Sequence, residues 1–207
     1  MTPHAMAWQT QSLLLDYPDP NLLDRLPLLR EVTRVLPGPV GAPLSGFLDH
    51  LEHTPLPDVA ADYVATFDHR KRGSLYLTYY TYGDTRKRGM ALLRFTHAYR
   101  AAGLHLAEGE LPDHLAVVLE FAAITDPDAG SRLLGEHRAG LELLRLGLRD
   151  GGSAWAPVLD SVSATLPPLR GRDHDAIARL IAQGPPEEEV GLDPFAPPEY
   201  MPRGGAR

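Results

Sequence analysis

The sequence predicts an all-α protein, a single-domain bundle of about eight or nine helices followed by a tail. Three observations carry that reading. Apolar residues recur at three- and four-residue spacing almost everywhere along the chain. Proline and glycine fall mostly where those runs stop, and no two alternating stretches are present to pair as a sheet. The length of 207 residues also suits one core. The domain is expected over residues 1–184 and the tail over 185–207.

The elements follow in order. "NLLDRLPLLREVTRVLP" sets Leu22, Leu26, Leu29, Val32 and Leu36 on one stripe, with Asp19 and Pro20 at its start and Pro37-Gly38-Pro39 at its stop. Pro27 is expected to kink or split it. "PLSGFLDHLEH" repeats the stripe with Leu44, Phe47, Leu48 and Leu51, and "DVAADYVATF" with Val59, Tyr63 and Phe67. "TRKRGMALLRFTHAYRAAG" carries Leu92, Phe95 or Leu93, Tyr99 and Ala102 up to Gly103, a natural C-terminal cap. "LPDHLAVVLEFAAI" is expected to begin at Pro112 and to run through Leu115, Val118, Leu119 and Ala122. "SRLLGEHRAGLELLRLGLRDGG" reads as one helix, "SAWAPVLDSVSATLPP" as another opened by Ser153, and "DHDAIARLIAQG" as the last. "LYLTYYTY" looks strand-like but has no partner strand, so a short extended or irregular segment between helices is expected. From Pro185 the chain is rich in proline and acid and aperiodic, which predicts a disordered tail with Phe195 and Tyr200 able to dock back.

Charge and composition restrict function. A net charge of -7 argues against duplex DNA or an anionic membrane as the main partner and favours a basic peptide. The absence of cysteine removes thiolate catalysis, Cys-ligated zinc, direct thiolate ligation of an iron-sulfur cluster and any disulfide framework. The N-terminus carries no signal or transit pattern and no window spans a bilayer, which points to the cytoplasm.

No catalytic constellation emerges. The chain lacks G-x-S-x-G, a Walker A loop, G-x-G-x-x-G and H-E-x-x-H. His50 and His53 sit one turn apart without an evident third ligand, so surface histidines explain them better than a metal. Asp113 and His114 are sequence neighbours that point in different directions on a helix, and Asp113 suits a first helical turn. Two basic clusters remain, "HRKRG" (69–73) and "DTRKRG" (84–89). In the second, Gly83 and Asp84 read as a turn and cap, which puts three cations in a first helical turn where the macrodipole disfavours them. With Thr85, Arg86 and Arg88, this makes a candidate anion site. Alternatively Arg86 or Arg88 pairs with an acid such as Asp62, Asp68 or Glu120 and staples helices together.

The block from Tyr63 to Gly103, "YVATFDHRKRGSLYLTYYTYGDTRKRGMALLRFTHAYRAAG", resembles the signature of the NarJ family, as do "ELPDHLAVVLEFAA", "WAPVLDSVSATLP" and the early "LLLDYPD". The resemblance implies a TorD-like chaperone fold and no enzymatic activity. It implies binding to the N-terminal segment of the respiratory nitrate reductase α subunit within an apo αβ complex. Molybdenum bis-molybdopterin guanine dinucleotide and an iron-sulfur cluster are then inserted, by dedicated machinery, before membrane docking, and no cofactor stays with the chaperone. On this reading Tyr63, Phe67, Tyr76, Tyr79 and Tyr80 are candidate walls of a client groove. Asp68, Asp84, Asp113 and Glu120 are candidate partners for client cations, and His114 is a further motif position. Two other readings remain open: a chaperone of the same superfamily serving another molybdoenzyme, and a nucleotide- or RNA-binding module using tyrosine stacking beside the basic clusters.

Overall fold

The structure, a computed structural model, describes residues 1–68, 73–83, 85–106 and 110–183. Eleven α-helices occur among them: α1 (Pro3–Leu15), α2 (Pro20–Val35), α3 (Gly38–His53), α4 (Leu56–Phe67), α5 (Tyr79–Tyr82), α6 (Arg86–Ala101), α7 (Leu115–Ile124), α8 (Pro127–Glu136), α9 (Arg138–Asp150), α10 (Ala156–Thr165) and α11 (Gly171–Gln183). The described residues contain no strand beyond one isolated antiparallel bridge, Tyr76 to His114. The expected all-α bundle is therefore what forms, with more helices than the stripes indicated. The tail assignment, with Phe195 and Tyr200, lies outside the described residues, as do the cluster at 69–72 and Asp84.

The three extra helices have separate causes. α1 buries Ala5, Ala7, Trp8, Gln11, Ser12, Leu14 and Leu15, residues all round its surface, so it shows no amphipathic stripe. It packs against α7, α10 and α2. α5 closes one helical turn within the stretch expected to be irregular; before it Tyr76 forms an isolated bridge and Leu77–Thr78 a turn, with Thr78 already in the helical region of φ/ψ. The run expected as one helix from Ser131 breaks at His137 into α8 and α9. Pro27, by contrast, does not interrupt α2. It sits exposed, so the backbone carbonyl that its missing N–H would have engaged can turn to water.

The core joins the predicted stripes. Leu44, Phe47, Leu48 and Leu51 of α3, Val59, Tyr63 and Phe67 of α4, and Trp155, Val158, Leu159 and Val162 at α10 are all buried. Trp155 stands at their meeting point, with Phe47, Tyr63 and Phe67 ring centroids 5.3, 5.6 and 5.5 Å away. Its indole N–H donates to Leu14 O at 3.1 Å, and Trp8 donates to Thr165 Oγ1 at 3.1 Å, so both large aromatics are satisfied where they are buried. Gln11 Nε2 donates to Ser161 Oγ (2.9 Å), which donates to Val40 O (2.8 Å), tying α1, α10 and α3 by a short polar chain.

An ionic network locks α9 to α10. Arg138 pairs with Glu142 (2.9 Å), Arg145 bridges Glu142 (2.7 Å) and Asp160 (2.9 Å), and Ser163 Oγ donates to Glu142 (2.6 Å). Glu142 is buried with all these partners in place, which is how a buried carboxylate is tolerated. Where α7 meets α8, a Cβ on Gly130 would lie 2.3 Å from Ala122 Cβ, so the close approach requires glycine.

Candidate functional site

The backbone of Leu75–Leu77 pairs with the chain at the start of α7: Leu77 N–H donates to Asp113 O at 3.0 Å and Leu115 N–H to Leu75 O at 2.8 Å. This pairing delays the helix expected from Pro112, and α7 starts at Leu115 with His114 at its N-cap. Asp113 therefore does not occupy a first helical turn. Its carboxylate is wholly buried and accepts from the Thr78 N–H (3.1 Å) and the Thr78 hydroxyl (2.5 Å).

Arg88 turns inward from the first turn of α6 to the same place. Its Nε donates to Thr78 Oγ1 at 3.1 Å, its Nη2 lies 3.7 Å from Asp113, and its guanidinium sits 5.4 Å from the Tyr76 ring centroid. Among the described residues the acid that faces Arg88 is Asp113, not Asp62, Asp68 or Glu120. Arg86 and Lys87, on the same turn, face solvent. Gly83, which precedes them, has φ 55° and ψ −149°, a backbone region only glycine occupies readily. Thr85 caps α6 by position, but its hydroxyl donates backwards to Tyr82 O at 2.7 Å. The candidate anion cluster is therefore split: Arg88 is engaged in the interior while Arg86 and Lys87 point out.

Above this clasp opens a cleft of about 560 Å³ between α1, Tyr76, the end of α6, residues 104–106 and 110–111, and α7 with its N-cap His114. Its lining includes Ser12, Asp16, Tyr76, Tyr99, Leu104, Leu106, Glu110, Leu111, His114, Val117, Glu120, Phe121 and Ile124. Leu104, Leu111 and Ile124 are exposed apolar residues at its mouth, 41, 39 and 63% accessible. Asp16, Glu110 and Glu120 add carboxylates, and the described lining holds no lysine or arginine. His114 packs edge-on against Tyr76, with ring centroids 5.2 Å apart. Burial pushes the His114 pKa below its ordinary value, against the pull of Asp16, Asp113, Glu110 and Asp68. A neutral His114 leaves the acidic character of the cleft unopposed near neutral pH.

The other sequence-derived positions lie elsewhere. Tyr63, Phe67 and Tyr80 are core residues. Tyr63 donates its hydroxyl to Leu15 O (3.0 Å) and Tyr80 to Ser74 O (3.0 Å), and burial pushes both phenols well up. Tyr79 is buried beside Tyr80. Asp68 is exposed at the end of α4. The structure brings Tyr76, His114 and Glu120 to the cleft and sets Asp113 directly behind it. Sequence reasoning did not single out Asp16, Leu104, Leu106, Glu110, Leu111 or Ile124. The available signal was three leucines in the aperiodic stretch between Gly103 and Pro112, where no helix stripe accounts for them. Among the described residues no three His, Asp or Glu side chains come together as a metal site.

Residues 34–160 match the family model described as nitrate reductase delta subunit. The chain belongs to this family. It is 32% identical over 174 residues to the nitrate reductase molybdenum cofactor assembly chaperone NarJ of Escherichia coli, covering 83% of this chain and 73% of that protein. It is 29% identical over 169 residues to the probable nitrate reductase molybdenum cofactor assembly chaperone NarJ of Bacillus subtilis, covering 80% and 90%. A nitrate reductase-like protein, NarX, of Mycobacterium tuberculosis is 39% identical over 160 residues, 77% of this chain. This chain spans about a quarter (24%) of that larger relative. Family membership agrees with the resemblance read from the Tyr63–Gly103 block, and the clasp of Thr78, Arg88 and Asp113 joins two of the segments that carried it. No helix among the described residues is long and apolar enough to cross a membrane.

Proposed function

We propose that this protein is a cytoplasmic, non-catalytic assembly chaperone for respiratory nitrate reductase. It holds the N-terminal segment of the apo α subunit, as part of the apo αβ complex, while molybdenum bis-molybdopterin guanine dinucleotide and an iron-sulfur cluster are installed. It then leaves before the enzyme docks on its membrane subunit. The observation that carries this reading is the acid-lined apolar cleft above the Thr78–Arg88–Asp113 clasp. Its volume falls in the range of roughly 300–1,000 Å³ typical of ligand pockets. Its exposed Leu104, Leu111 and Ile124 suit the apolar face of a helical peptide, and Asp16, Glu110 and Glu120 suit that peptide's basic residues. The names of the Escherichia coli and Bacillus subtilis relatives supply the client enzyme and its cargo.

In this mechanism the chain's own residues do the binding. Tyr76 and His114 form one wall, positioned from below by the clasp, and Val117, Phe121 and Ile124 of α7 form the other. The clasp keeps the walls at fixed separation before the client arrives, so little ordering cost is left to binding.

Titration calorimetry of the full chain with a synthetic peptide from the N-terminus of its nitrate reductase α subunit tests the proposal, with a scrambled peptide of equal charge as control. Saturable binding of the native peptide alone supports it. Equal binding of both peptides reduces the cleft to a nonspecific acidic surface, and binding of neither removes the peptide-chaperone reading.

A further inference from the structure

On α6, Arg86, Met90, Leu93, His97 and Arg100 follow one another at four- and three-residue steps, and all are exposed. Lys87 and Arg94 flank the stripe, and Arg94 also pairs with Glu136 at 2.7 Å. Met90 and Leu93, 70 and 45% accessible, form its centre. The helix carries five cations, Arg86, Lys87, Arg88, Arg94 and Arg100, and no acid, in a chain whose net charge is -7. Its inward side is held by Phe95 and Tyr99, and among the described residues nothing covers the outer stripe, a basic and apolar face. None of these stripe residues lines the client cleft.

The chain itself contains a segment of opposite chemistry. Residues 187–200, "EEEVGLDPFAPPEY", hold Glu187, Glu188, Glu189, Asp193 and Glu199 without a single base, interspersed with Val190, Leu192, Phe195 and Tyr200. Prolines 194, 197 and 198 favour an extended course with free backbone groups, the form in which a strip of chain lies along a helix. The stripe from Arg86 to Arg100 is about 21 Å long at 1.5 Å per residue. An extended segment of seven or more residues covers it, at roughly 3.3 Å per residue. Reach also suffices. Asp173 in the first turn of α11 acts electrostatically on Arg138, and Glu136, two residues before Arg138, holds Arg94 of α6. From Gln183 the twelve residues to Phe195 extend up to about 40 Å.

We propose that the basic, apolar face of α6 is a docking surface for this chain's own acidic segment 187–200, with Met90 and Leu93 receiving its apolar side chains and Arg86, Lys87 and Arg100 its carboxylates. The proposal is independent of the client cleft. Docked in this way, the segment shields this basic surface until an acidic surface elsewhere competes for it.

Met90 supplies the probe. Full-length protein is exposed to dilute hydrogen peroxide and Met90 sulfoxide is followed by peptide mass spectrometry. Neutralising the segment by Glu187→Gln, Glu188→Gln, Glu189→Gln and Asp193→Asn is expected to speed Met90 oxidation at least threefold. Arg86→Glu with Lys87→Glu is expected to do the same. Combining that pair with Glu187→Lys, Glu188→Lys and Glu189→Lys is expected to restore slow oxidation, which mere surface destabilisation would not. Rates of Met90 oxidation indifferent to the segment's charge overturn the proposal. So does protection that appears only as protein concentration rises, since that assigns the face to a second copy.

Discussion

Removing the Asp113 carboxylate tests the clasp that joins the signature block to α7. In Asp113→Ala the buried Thr78 N–H and hydroxyl lose their acceptor, and the Arg88 guanidinium loses the anion 3.7 Å away. An unsatisfied buried donor costs about 1–3 kcal/mol, and breaking a buried ion pair costs about 3–5 kcal/mol. The two terms share one carboxylate, and Arg88 keeps 17% of its side chain exposed, so water recovers part of the loss. The expected destabilisation is about 3–4 kcal/mol, or roughly 6–16 °C in Tm for a domain of this size. Asp113→Asn keeps an acceptor for Thr78 and is expected to cost about 1–2 kcal/mol. Urea titration by circular dichroism measures these values, with Arg88→Ala and the double variant completing a cycle. The double variant is expected to fall short of the sum of the singles by at least about 1 kcal/mol. An Asp113→Ala protein within about 1 kcal/mol of the wild type, or strict additivity in the cycle, would refute the clasp as a stabilising unit.

Other outcomes follow from the same geometry. Gly130→Ala places a methyl 2.6 Å from Ala122 Cα, a backbone atom that cannot swing aside, and is expected to cost at least about 1–3 kcal/mol in urea titrations; a neutral effect would show that α7 and α8 can part freely. Burial holds the His137 pKa down at about 4, against an ordinary 6.5. The unfolded chain therefore takes up that proton first, and the stability present above pH 6.5 is lost as pH falls towards 4, by up to about 3 kcal/mol. His137→Gln is expected to flatten that part of the stability profile, measured by urea midpoints between pH 4 and 7. Glu110→Lys with Glu120→Lys is expected to weaken client-peptide binding several-fold in calorimetry while leaving Tm within a few degrees, because rim charges of this kind contribute roughly 0.2–1 kcal/mol each.

Much of the fold was legible because most helices are half-buried and therefore striped. Leu44, Phe47, Leu48 and Leu51, or Val59, Tyr63 and Phe67, announce their inner face by spacing alone. α1 was not legible because it is enclosed on most sides and Gln11 and Ser12 are buried by hydrogen bonds that span more than a hundred residues. The start of α7 was misplaced for a related reason: a backbone pairing with Leu75 and Leu77, 36 to 40 residues away, claims the groups that would have opened the helix at Pro112. The site was legible only in part. Tyr76, His114 and Glu120 stand out by type, yet Tyr63, Phe67 and Tyr80 carry the same aromatic signal and went into the core. Asp16, Leu104 and Glu110 reach the cleft through tertiary packing that no local spacing encodes.

The central claim is that the client segment lies in the cleft between α1, Tyr76 and α7. It is tested most directly by photo-crosslinking, with a benzophenone side chain placed in the apolar face of the α-subunit N-terminal peptide and the adduct mapped by mass spectrometry. The account predicts adducts at cleft residues such as Leu111, Val117 and Ile124, suppressed by excess unlabelled peptide and reduced in Ile124→Glu. Adducts confined to α6 or to other surfaces, unchanged by Ile124→Glu, would contradict it.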